Sequence, residues 1–456
     1  MEWELCGQEE HQAGVVTAQT TQEWLQDNSA LDSKCVIHVK DTILGDTLQP
    51  GVPSIMTVSG DSAGYSPRNY PNADSQEIFK KLERLPPPNY QFTGNIAAPL
   101  KGIKVLDFCQ VLAGPICGRI LAEYGAEVIK INNPRTYENP IAMAGHETVN
   151  NGKLTTFIDL KSPEGKKILD ILIKECDVFH CNFSQHVYER YGVTELELRA
   201  KNPSIILSQV NVHSIGGWRQ WQRGHEDLGE AVTGLSVRYG DGKKPENLPV
   251  LVCDNLTGHC SALGVLLAIY YRMLTGKGQR VQACLSRSAT IAQIPYLLGY
   301  QGKIWNEPAG NTAYGWSMFN RIYKTLDGYI FIATGTPKLC KKIRQLENID
   351  FTSTDAEQEL EKHFLTLTSN QWIKVLSSSG FEARALRNFS TDAMEEDYAK
   401  SRGLSRTDFH KNLGVIRVTS CAPRLSLTPP IPGFPVCEPG GDTESFFNDF
   451  MHDTKN

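Results

Sequence analysis

Apolar and polar positions in the middle of the chain alternate in blocks that predict strands and helices in turn. Helical patterns cover 115–124, 163–174 and about 196–201, and the second begins with Ser162-Pro163-Glu164, which supplies a cap, a first-turn proline and an acid. Buried-strand patterns flank these helices at 102–108, 125–131, 155–160, 177–183 and 204–210. This alternation predicts an α/β fold with a Rossmann-like, doubly wound parallel sheet.

A carboxylate stands where one of these blocks changes into the next. The apolar run Leu248–Cys253 ends at Asp254, and apolar residues then recur at helical spacing as far as Leu274. The order predicts a strand, an acid at its carboxyl end and a helix, which is where α/β sheets bind ligands. Asp is also a preferred N-cap residue, and without further context helix capping is the more frequent role.

Changes in amino-acid composition and pattern divide the chain into four parts. Residues 1–97 are polar and end near the linker pattern Leu-Pro-Pro-Pro-Asn at 85–89, which predicts an appended extension. Residues 98–300 carry the large α/β domain. The remaining parts are a linker with a smaller α+β domain at 301–425 and a proline-rich return segment at 426–456.

One internal similarity concerns the extension. The piece from Thr21 through Pro50-Gly-Val-Pro53 to Phe79 resembles in order the piece from about Asp392 through Pro432-Gly-Phe-Pro435 to Phe446. Pro-Gly loops are common, so chance is the alternative. The similarity suggests that the extension corresponds to the tail of a preceding copy of the same protein.

Composition restricts the classes of partner. The 456 residues are 40% hydrophobic and 21% charged, with 46 basic and 51 acidic side chains and a formal net charge of −5. This balance predicts neither a nucleic-acid nor a membrane partner. None of the twelve cysteines forms a C-x-x-C pair, so we expect no metal site, no disulfide framework and a reducing compartment. With no signal-peptide pattern at the amino terminus, the cytoplasm is the expected location.

Several short motifs occur in a fixed order over 98–448. They are Pro99-Leu-Lys-Gly-Ile-Lys-Val-Leu-Asp-Phe108, Val111-Leu-Ala-Gly-Pro115, Leu121-Ala-Glu-Tyr-Gly-Ala-Glu-Val-Ile-Lys-Ile131, Ile158-Asp-Leu-Lys-Ser-Pro-Glu-Gly165, Asn182-Phe183, Cys253-Asp254 and Thr275-Gly-Lys-Gly-Gln279. In this order they resemble the class III CoA-transferase family of the CaiB/BaiF type, which also includes α-methylacyl-CoA racemases. The resemblance implies an interlocked homodimer.

The resemblance implies that Asp254 is a nucleophile. A carboxylate can attack an acyl-CoA thioester, form a mixed anhydride and then an aspartyl-CoA thioester, and pass CoA to a second carboxylic acid. The implied partners are therefore an acyl-CoA and an acceptor acid. CoA would be a substrate, and no permanently bound cofactor is implied.

The resemblance also implies a path for CoA. The loop Val111, Leu112 and Ala113 corresponds to the nucleotide end, near a helix amino terminus that suits phosphate. Further matching positions are the basic residues Lys153, Arg190 and Arg223 and the pair Asn182 and Phe183. Solvated surface charge is the alternative for the basic residues, and core packing is the alternative for Phe183.

The sequence departs from the family pattern at four places. Asn133 stands where a basic residue is usual, and Gly152-Lys153-Leu154 replaces Asn-Lys-Arg. In the same way, Ser184-Gln185-His186 replaces Arg-Pro-Gly, and Glu230 replaces a usual Gln. Three of these changes remove positive charge or donors from the implied CoA path, so weaker or shifted binding is expected.

Two further readings of the site stay open. In the related racemases, His and Asp act as two bases on the carbon next to the thioester, and Gly224-His225-Glu226 stands at the corresponding place here. Glu226 favours the transferase, since racemases tend to have Asp there. His225, Glu226 and Asp254 are the predicted catalytic residues. The third reading is a catalytically silent half of a fused pseudo-dimer.

Overall fold

The structure is a computed structural model. It describes residues 2–9, 14–58, 69–82, 97–135, 146–241, 244–333, 336–343, 346, 348–387, 390–420, 423–431 and 433–453. The chain divides into two compact units. One holds residues 1–237, 245–303 and 406–456, and the other holds 238–244 and 304–405. The predicted linker at 85–89 lies outside the described residues.

Helices and strands alternate through most of the described chain. The helices are α1 (Glu2–Glu9), α2 (Thr21–Leu25), α3 (Asn28–Asp32), α4 (Ser75–Leu82), α5 (Ala113–Glu123), α6 (His146–Val149), α7 (Pro163–Glu175), α8 (Gln185–Tyr191), α9 (Glu195–Lys201), α10 (Glu226–Thr233), α11 (Leu235–Tyr239), α12 (Val252–Thr275), α13 (Leu285–Ala292), α14 (Pro337–Cys340), α15 (Ala356–Phe364), α16 (Ser369–Ser378), α17 (Ser390–Glu395), α18 (Asp397–Ser401) and α19 (Thr443–Asp453). The strands are β1 (Val36–Asp41), β2 (Gly45–Pro50), β3 (Ile55–Met56), β4 (Lys104–Asp107), β5 (Glu127–Asn132), β6 (Leu154–Phe157), β7 (Val178–Cys181), β8 (Ile206–Asn211), β9 (Arg280–Cys284), β10 (Gly299–Tyr300), β11 (Gly315–Ser317), β12 (Asn320–Lys324), β13 (Tyr329–Ala333), β14 (Glu382–Ala385), β15 (Ser405–His410) and β16 (Gly414–Thr419).

A seven-stranded sheet forms the centre of the larger unit. Its order is β3-β9-β8-β7-β4-β5-β6, and every pair is parallel except β3 with β9. Strand order reverses between β4 and β7, so the loops that follow these two strands diverge and leave a crevice. The predicted α/β fold with a parallel sheet is confirmed.

Apolar side chains on both faces of this sheet are buried, as parallel sheets require. Val105 and Val178 face one core together with Leu121 of α5 and Val265 of α12. On the opposite face, a second core joins the β4, β7 and β8 side chains Leu106, Phe179 and Leu207 to α7 and α9. These two cores hold the strand ends that carry the site.

The strand predicted immediately before Asp254 is wrong. No strand occurs in 244–251, which the structure describes fully, and α12 already begins at Val252. Val250 is 60% exposed and Leu251 is 45% exposed, so this apolar run is not buried in the sheet. Apolar composition alone misled the prediction, because short apolar runs do not distinguish a strand from the start of a helix.

The first part of the chain packs onto the larger unit. Residues Ile55 and Met56 add the antiparallel edge strand β3 to the main sheet, and β2 pairs with β10. Trp24 is 2% exposed, and its indole Nε1 donates a hydrogen bond to Oγ1 of Thr290 at 2.9 Å. The described residues 14–58 therefore belong to the same core as the sheet.

Four elements near the start of the chain recur with the same spacing near its end. The set α2, α3, β1 and β2 starts at residues 21, 28, 36 and 45, and the set α17, α18, β15 and β16 starts at 390, 397, 405 and 414, a constant offset of 369 residues. Gly45 and Gly414 open the second strand of each set with φ of 76° and 74°, a left-handed conformation that glycine adopts without strain.

The smaller unit has an antiparallel sheet of order β11-β12-β13-β14. Tyr323, Phe364 and Trp372 are at most 1% exposed. The ring centroid of Phe364 lies 4.4 Å from that of Tyr323 and 4.7 Å from that of Trp372. This aromatic stack anchors α15 and α16 to the sheet.

Helix α12 has the length and apolar composition needed to cross a membrane, and 61% of its most apolar window is buried inside the protein. A buried core helix meets the same length and composition criteria. The cysteines that the structure describes are free, without disulfides among them.

Candidate functional site

A cavity of about 260 Å³ lies at the carboxyl ends of β4, β7 and β8. The amino-terminal ends of α5 and α12 face it from the other side. Its wall consists of Gln110, Val111, Leu112, Ala113, Asn182, Phe183, Ser184, Val210, Asn211, Val212, Trp221, Gln222, Arg223, Gly224, His225, Asp254 and Leu285. The cavity therefore occupies the crevice that the strand order creates, and it brings together most of the predicted site residues.

Asp254 is the buried acid of this wall. It is the third residue of α12 and is 6% exposed. Burial and then the charge of Glu226 raise the pKa of Asp254 to about 7, and the nearby backbone amide of Ala113 in the first turn of α5 offsets this only in part. The carboxyl group thus lies near two helix amino termini, but burial and the neighbouring acid outweigh their effect on its pKa.

Glu226 caps helix α12 in place of Asp254. Its Oε1 accepts the backbone N–H of Cys253 at 2.7 Å, and its Oε2 accepts the N–H of Asp254 at 2.6 Å. Leu251, at the N-cap position, makes no side-chain cap bond. Asp254 lies inside the helix and not at its N-cap, so the capping role considered for Asp254 does not apply, and its side chain lines the cavity. Glu226 itself is buried behind the cavity wall.

The loop that precedes α10 places two polar side chains at the cavity. His225 is exposed at the N-cap position of α10, and Arg223 is exposed two residues earlier. A guanidinium nitrogen of Arg223 lies 3.3 Å from Nε2 of His186. Both residues line the same cavity as Asp254, as the predicted site requires.

The loop after β4 approaches the cavity with its backbone. Val111 has a φ of 69°, a conformation that is strained for a β-branched residue and that is found at functional loops. Leu112, at the N-cap of α5, makes no side-chain cap bond, so amides of this turn point at the cavity unused by a cap. The Asn182 amide holds the loop, since it accepts the Gln110 N–H at 3.1 Å and donates to its carbonyl at 2.9 Å.

Lys153 lies away from the predicted CoA path. It is fully buried, and its ammonium donates to Oδ2 of Asp107 at 2.7 Å, to the Pro115 carbonyl at 2.8 Å and to Oδ1 of Asn150 at 2.8 Å. All three donors are used inside the protein, and Lys153 is absent from the cavity wall. This geometry gives no support to a contact between Lys153 and CoA, because the lysine is committed to a buried ion pair.

Arg190 and Phe183 sit at the edge of the site. The Arg190 guanidinium is exposed, lies 5.0 Å from the centroid of the Tyr191 ring and does not line the cavity. Phe183 does line it, with its ring 5.7 Å from those of Phe108 and Tyr188. Phe183 therefore belongs both to the core and to the cavity wall, so the two readings of this residue are compatible.

Sequence reasoning missed Gln222 among the residues of the wall. Gln222 is 5% exposed, and neither its amide nitrogen nor its oxygen has a hydrogen-bond partner among the described residues. A buried, unsatisfied amide at a cavity is a group that a polar ligand can satisfy. No motif marks Gln222, so only its place in the fold identifies it.

Two clusters of buried side chains have the donor types of a metal site. They are Asp107, Cys109 and His180, and Glu226, Glu230 and Cys253. In the first, the Asp107 carboxylate binds Lys153, and the His180 ring nitrogens lie 2.9 Å from Ser208 Oγ and 2.8 Å from the Gly114 carbonyl oxygen. In the second, backbone amides occupy both oxygens of Glu226. Contacts within the protein thus already use most of these donor atoms.

The arrangement can support chemistry on an acyl group. A buried carboxylate with a pKa near neutrality is a stronger nucleophile than an ordinary aspartate, and it faces backbone amides that can stabilise a developing oxyanion. His225 on the same wall can exchange protons. The site offers either covalent acyl transfer or proton abstraction.

Comparison with known proteins identifies relatives of the chain. A sequence model of CoA-transferase family III matches residues 100–443. The CoA-transferase/lyase DddD of Marinomonas sp. (strain MWYL1) is 27% identical over 79% of this chain, but the match covers only 45% of DddD. The chain thus spans less than half the length of that relative. The succinyl-CoA–D-citramalate CoA-transferase of Chloroflexus aurantiacus is 28% identical over 73% of this chain and 89% of its own length.

A solved structure confirms the fold. The CaiB/BaiF family protein from Brucella suis superposes with a TM-score of 0.66 and 22% identity, covering 78% of this chain and all of that one (100%). At a sequence identity of 22%, this similarity establishes the fold only.

Proposed function

Because the chain belongs to CoA-transferase family III, we propose that it moves CoA from an acyl-CoA thioester to a carboxylic acid with Asp254 as the nucleophile. One observation carries the proposal: Asp254 is a buried carboxylate that lines the cavity, and it is the third residue of α12 rather than its N-cap. An acid that only started the helix would stand at the N-cap and accept the amides two or three residues later, whereas Glu226 takes the first free amides here.

The first half of the reaction loads CoA onto the enzyme. The Asp254 carboxylate attacks the thioester carbonyl, the C–S bond breaks, and a mixed anhydride and a CoA thiolate form. The thiolate then attacks the aspartyl carbonyl. An aspartyl-CoA thioester results, and the first acid leaves as its carboxylate with one oxygen that came from Asp254.

The second half repeats these steps in reverse order. The acceptor carboxylate attacks the aspartyl-CoA thioester, which releases the thiolate and forms a second anhydride. Attack of the thiolate on the acceptor carbonyl gives the new acyl-CoA and regenerates Asp254. Each intermediate has a similar acyl-transfer potential, so the cycle needs no ATP and no resident cofactor.

The cavity supplies orientation for this cycle. The backbone amide of Ala113 is near enough to the carboxylate to lower its pKa, and it can stabilise oxyanions that form next to it. Arg223 is exposed at the rim and can pair with CoA phosphates. We infer that the phosphates approach through the Arg223 side and that the thioester reaches Asp254 at the inner end.

Covalent trapping tests the proposal. The protein is mixed with succinyl-CoA or formyl-CoA, the donors named for relatives of this chain, and quenched with borohydride, which reduces aspartyl-CoA to a homoserine side chain. Peptide mass spectrometry should then find the change at Asp254 and nowhere else. Asp254→Asn should show none. Labelling at another acid, or turnover without labelling, would contradict the assignment.

A racemase is the second candidate, because His225 and Asp254 line one cavity. In that reaction His225 and Asp254 would act as two bases on the α-carbon of a 2-methylacyl-CoA. Incubation with 2-methylacyl-CoA in D₂O separates the two functions. Deuterium at the α-carbon without covalent labelling favours the racemase, and CoA exchange without deuterium favours the transferase.

The remaining expectations are proposals of the same kind. We infer a cytoplasmic homodimer, tested by light scattering of the purified chain and by fractionation.

A catalytically silent half remains the alternative to both enzymes. Calorimetry with acyl-CoA decides this, since an intact site binds the ligand and a silent half with a degenerate site does not.

A further inference from the structure

Glu230 is a second buried acid behind the site, one helical turn after Glu226. It is 1% exposed. Its Oε2 accepts the backbone N–H of Leu248 at 3.2 Å, whereas its Oε1 is buried without a donor among the described residues. A buried, ionised carboxylate oxygen without a donor raises the free energy of the folded state. A protonated oxygen avoids this penalty, because it can donate a hydrogen bond to a neighbour.

The neighbour that can accept this proton is Glu226. One carboxylate oxygen of Glu226, one of Glu230 and Sγ of Cys253 lie within 4.8 Å of one another, and the neighbouring Glu226 carboxylate raises the pKa of Glu230. Two carboxylates this close cannot both ionise cheaply. Glu226 is the member that accepts two backbone N–H groups, so the negative charge is better placed there.

The charges that raise the pKa of Glu230 come from acids, namely Glu226 and then Asp227 on the same helix. Cys253 of α12 is the third buried group beside it. Burial first, and then the charge of Glu226, raises the pKa of Glu230 to about 7. The proton is therefore held below about pH 7 and lost above it.

We propose that Glu230 is a positioning residue whose Oε1 carries a proton and donates it to Glu226, which keeps Glu226 ionised on the two amides that begin α12. Its effect on catalysis rests on the proposed role of Asp254. The protonated pair leaves one negative charge behind the nucleophile. A second charge would push Glu226 off the amides and oppose ionisation of Asp254.

The residue type at position 230 fits a neutral donor. The family pattern has Gln at this position, as the resemblance implies, and a protonated glutamic acid has the same shape and a comparable donor. Only the acid can lose its proton. This chain therefore has a pH-dependent version of a neutral hydrogen-bond donor.

Three variants test the proposal on the full-length protein. Glu230→Leu removes the donor and should lower kcat/KM for CoA transfer roughly 10- to 100-fold. Glu230→Gln restores a neutral donor and should recover most of that loss. In addition, kcat/KM of the unmodified protein should fall above about pH 7.5, and this alkaline decline should disappear in Glu230→Gln. The control Asp227→Asn removes an exposed charge from the same helix without a donor bond, and it should keep the decline.

A stability measurement keeps the test independent of activity. The raised pKa of Glu230 in the native state makes a pH-dependent contribution to the free energy of unfolding. This contribution is fully present below the unfolded pKa of 4.5 and is lost as pH rises through about 7. The melting temperature of the unmodified protein should therefore fall, relative to Glu230→Gln, by at least about 2 °C between pH 5 and pH 8. As a control, the melting temperature of the double variant Asp227→Asn/Glu230→Gln is compared with that of Glu230→Gln. The difference between these two variants should not change with pH.

The outcomes separate the two proposals. If the protein transfers no CoA but the stability difference appears, the proton assignment holds and the proposed function fails. If CoA transfer occurs and the melting difference is independent of pH, Glu230 is ionised and the positioning role is overturned. A stoichiometric divalent metal that binds the purified protein and is lost in Glu230→Gln would overturn it as well.

Discussion

The backbone N–H of Asp254 donates a hydrogen bond of 2.6 Å to the carboxylate of Glu226. This bond joins the amino-terminal ends of α10 and α12. It means that one acid caps the helix and the other faces the cavity. Two carboxylates in one site thus have different tasks because their surroundings differ.

Removing the cap should disturb both stability and activity. Glu226→Ala leaves the amides of Cys253 and Asp254 without an acceptor, and hydrogen bonds to a charged group are worth about 1.5–3 kcal/mol each. We expect a lower free energy of unfolding in urea and a kcat/KM reduced at least about 100-fold. Glu444→Ala, at an exposed acid in the first turn of another helix, is the control and should change neither. An active, fully stable Glu226→Ala would contradict this role.

Activity should rise with pH as Asp254 ionises. The pKa of its carboxyl is raised to about 7, so kcat/KM should increase tenfold per pH unit below that value. The same shift makes the native state bind a proton more tightly than the unfolded chain between pH 3.8 and about 7, so stability falls as pH rises through that window. Melting curves of Asp254→Asn should lack this contribution. A pH profile that is flat from 5 to 7 would exclude Asp254 ionisation as the controlling step.

Lys153 and Arg223 should behave differently although both match basic positions of the family. Lys153→Met leaves Asp107 buried without its partner, which typically costs about 3–5 kcal/mol of stability. Arg223→Ala should preserve the melting temperature and weaken CoA binding in calorimetry, most strongly at low salt. If folded Lys153→Met loses CoA affinity with its stability intact, the sequence-based assignment was right and the buried ion pair is not its main role.

The strained backbone at Val111 predicts an unusual order of stabilities. At a φ of 69° glycine is favoured over alanine, so Val111→Gly should be more stable than Val111→Ala by about 1 kcal/mol in urea unfolding. In the interior of α12 the order should be normal, with Ala262→Gly destabilising by about the same amount or more. Equal stability of the two Val111 variants would show that the loop relaxes in solution.

The alternation of strands and helices was sufficient to predict strands β4 to β8 of the main sheet, but not its edge strand β3. Each predicted strand from 102–108 to 204–210 overlaps one of β4 to β8, because fully buried parallel strands give continuous apolar runs. The run before Asp254 has the same composition but is exposed, and no periodicity separated the two cases. Burial on both faces is a tertiary property, so composition alone misassigned it.

The site was predictable in part. The family resemblance implied the 111–113 loop, Arg223, His225 and Asp254 as site residues, and all of them line one cavity. The bonds that organise them were not predictable, because a carboxylate that accepts amides from another helix leaves no local pattern. Lys153 shows the converse: its identity matches a binding position, while its three bonds are fixed by core residues far apart in the chain.

Oxygen transfer through Asp254 tests the central claim most directly. The protein turns over an unlabelled acyl-CoA with an acceptor acid that carries ¹⁸O in both carboxyl oxygens, and the peptide containing Asp254 is then analysed by mass spectrometry. The account predicts ¹⁸O in the Asp254 carboxyl and in the acid released from the donor. CoA transfer that leaves both free of ¹⁸O would contradict it, because acyl groups would then pass between substrates without bonding to this side chain.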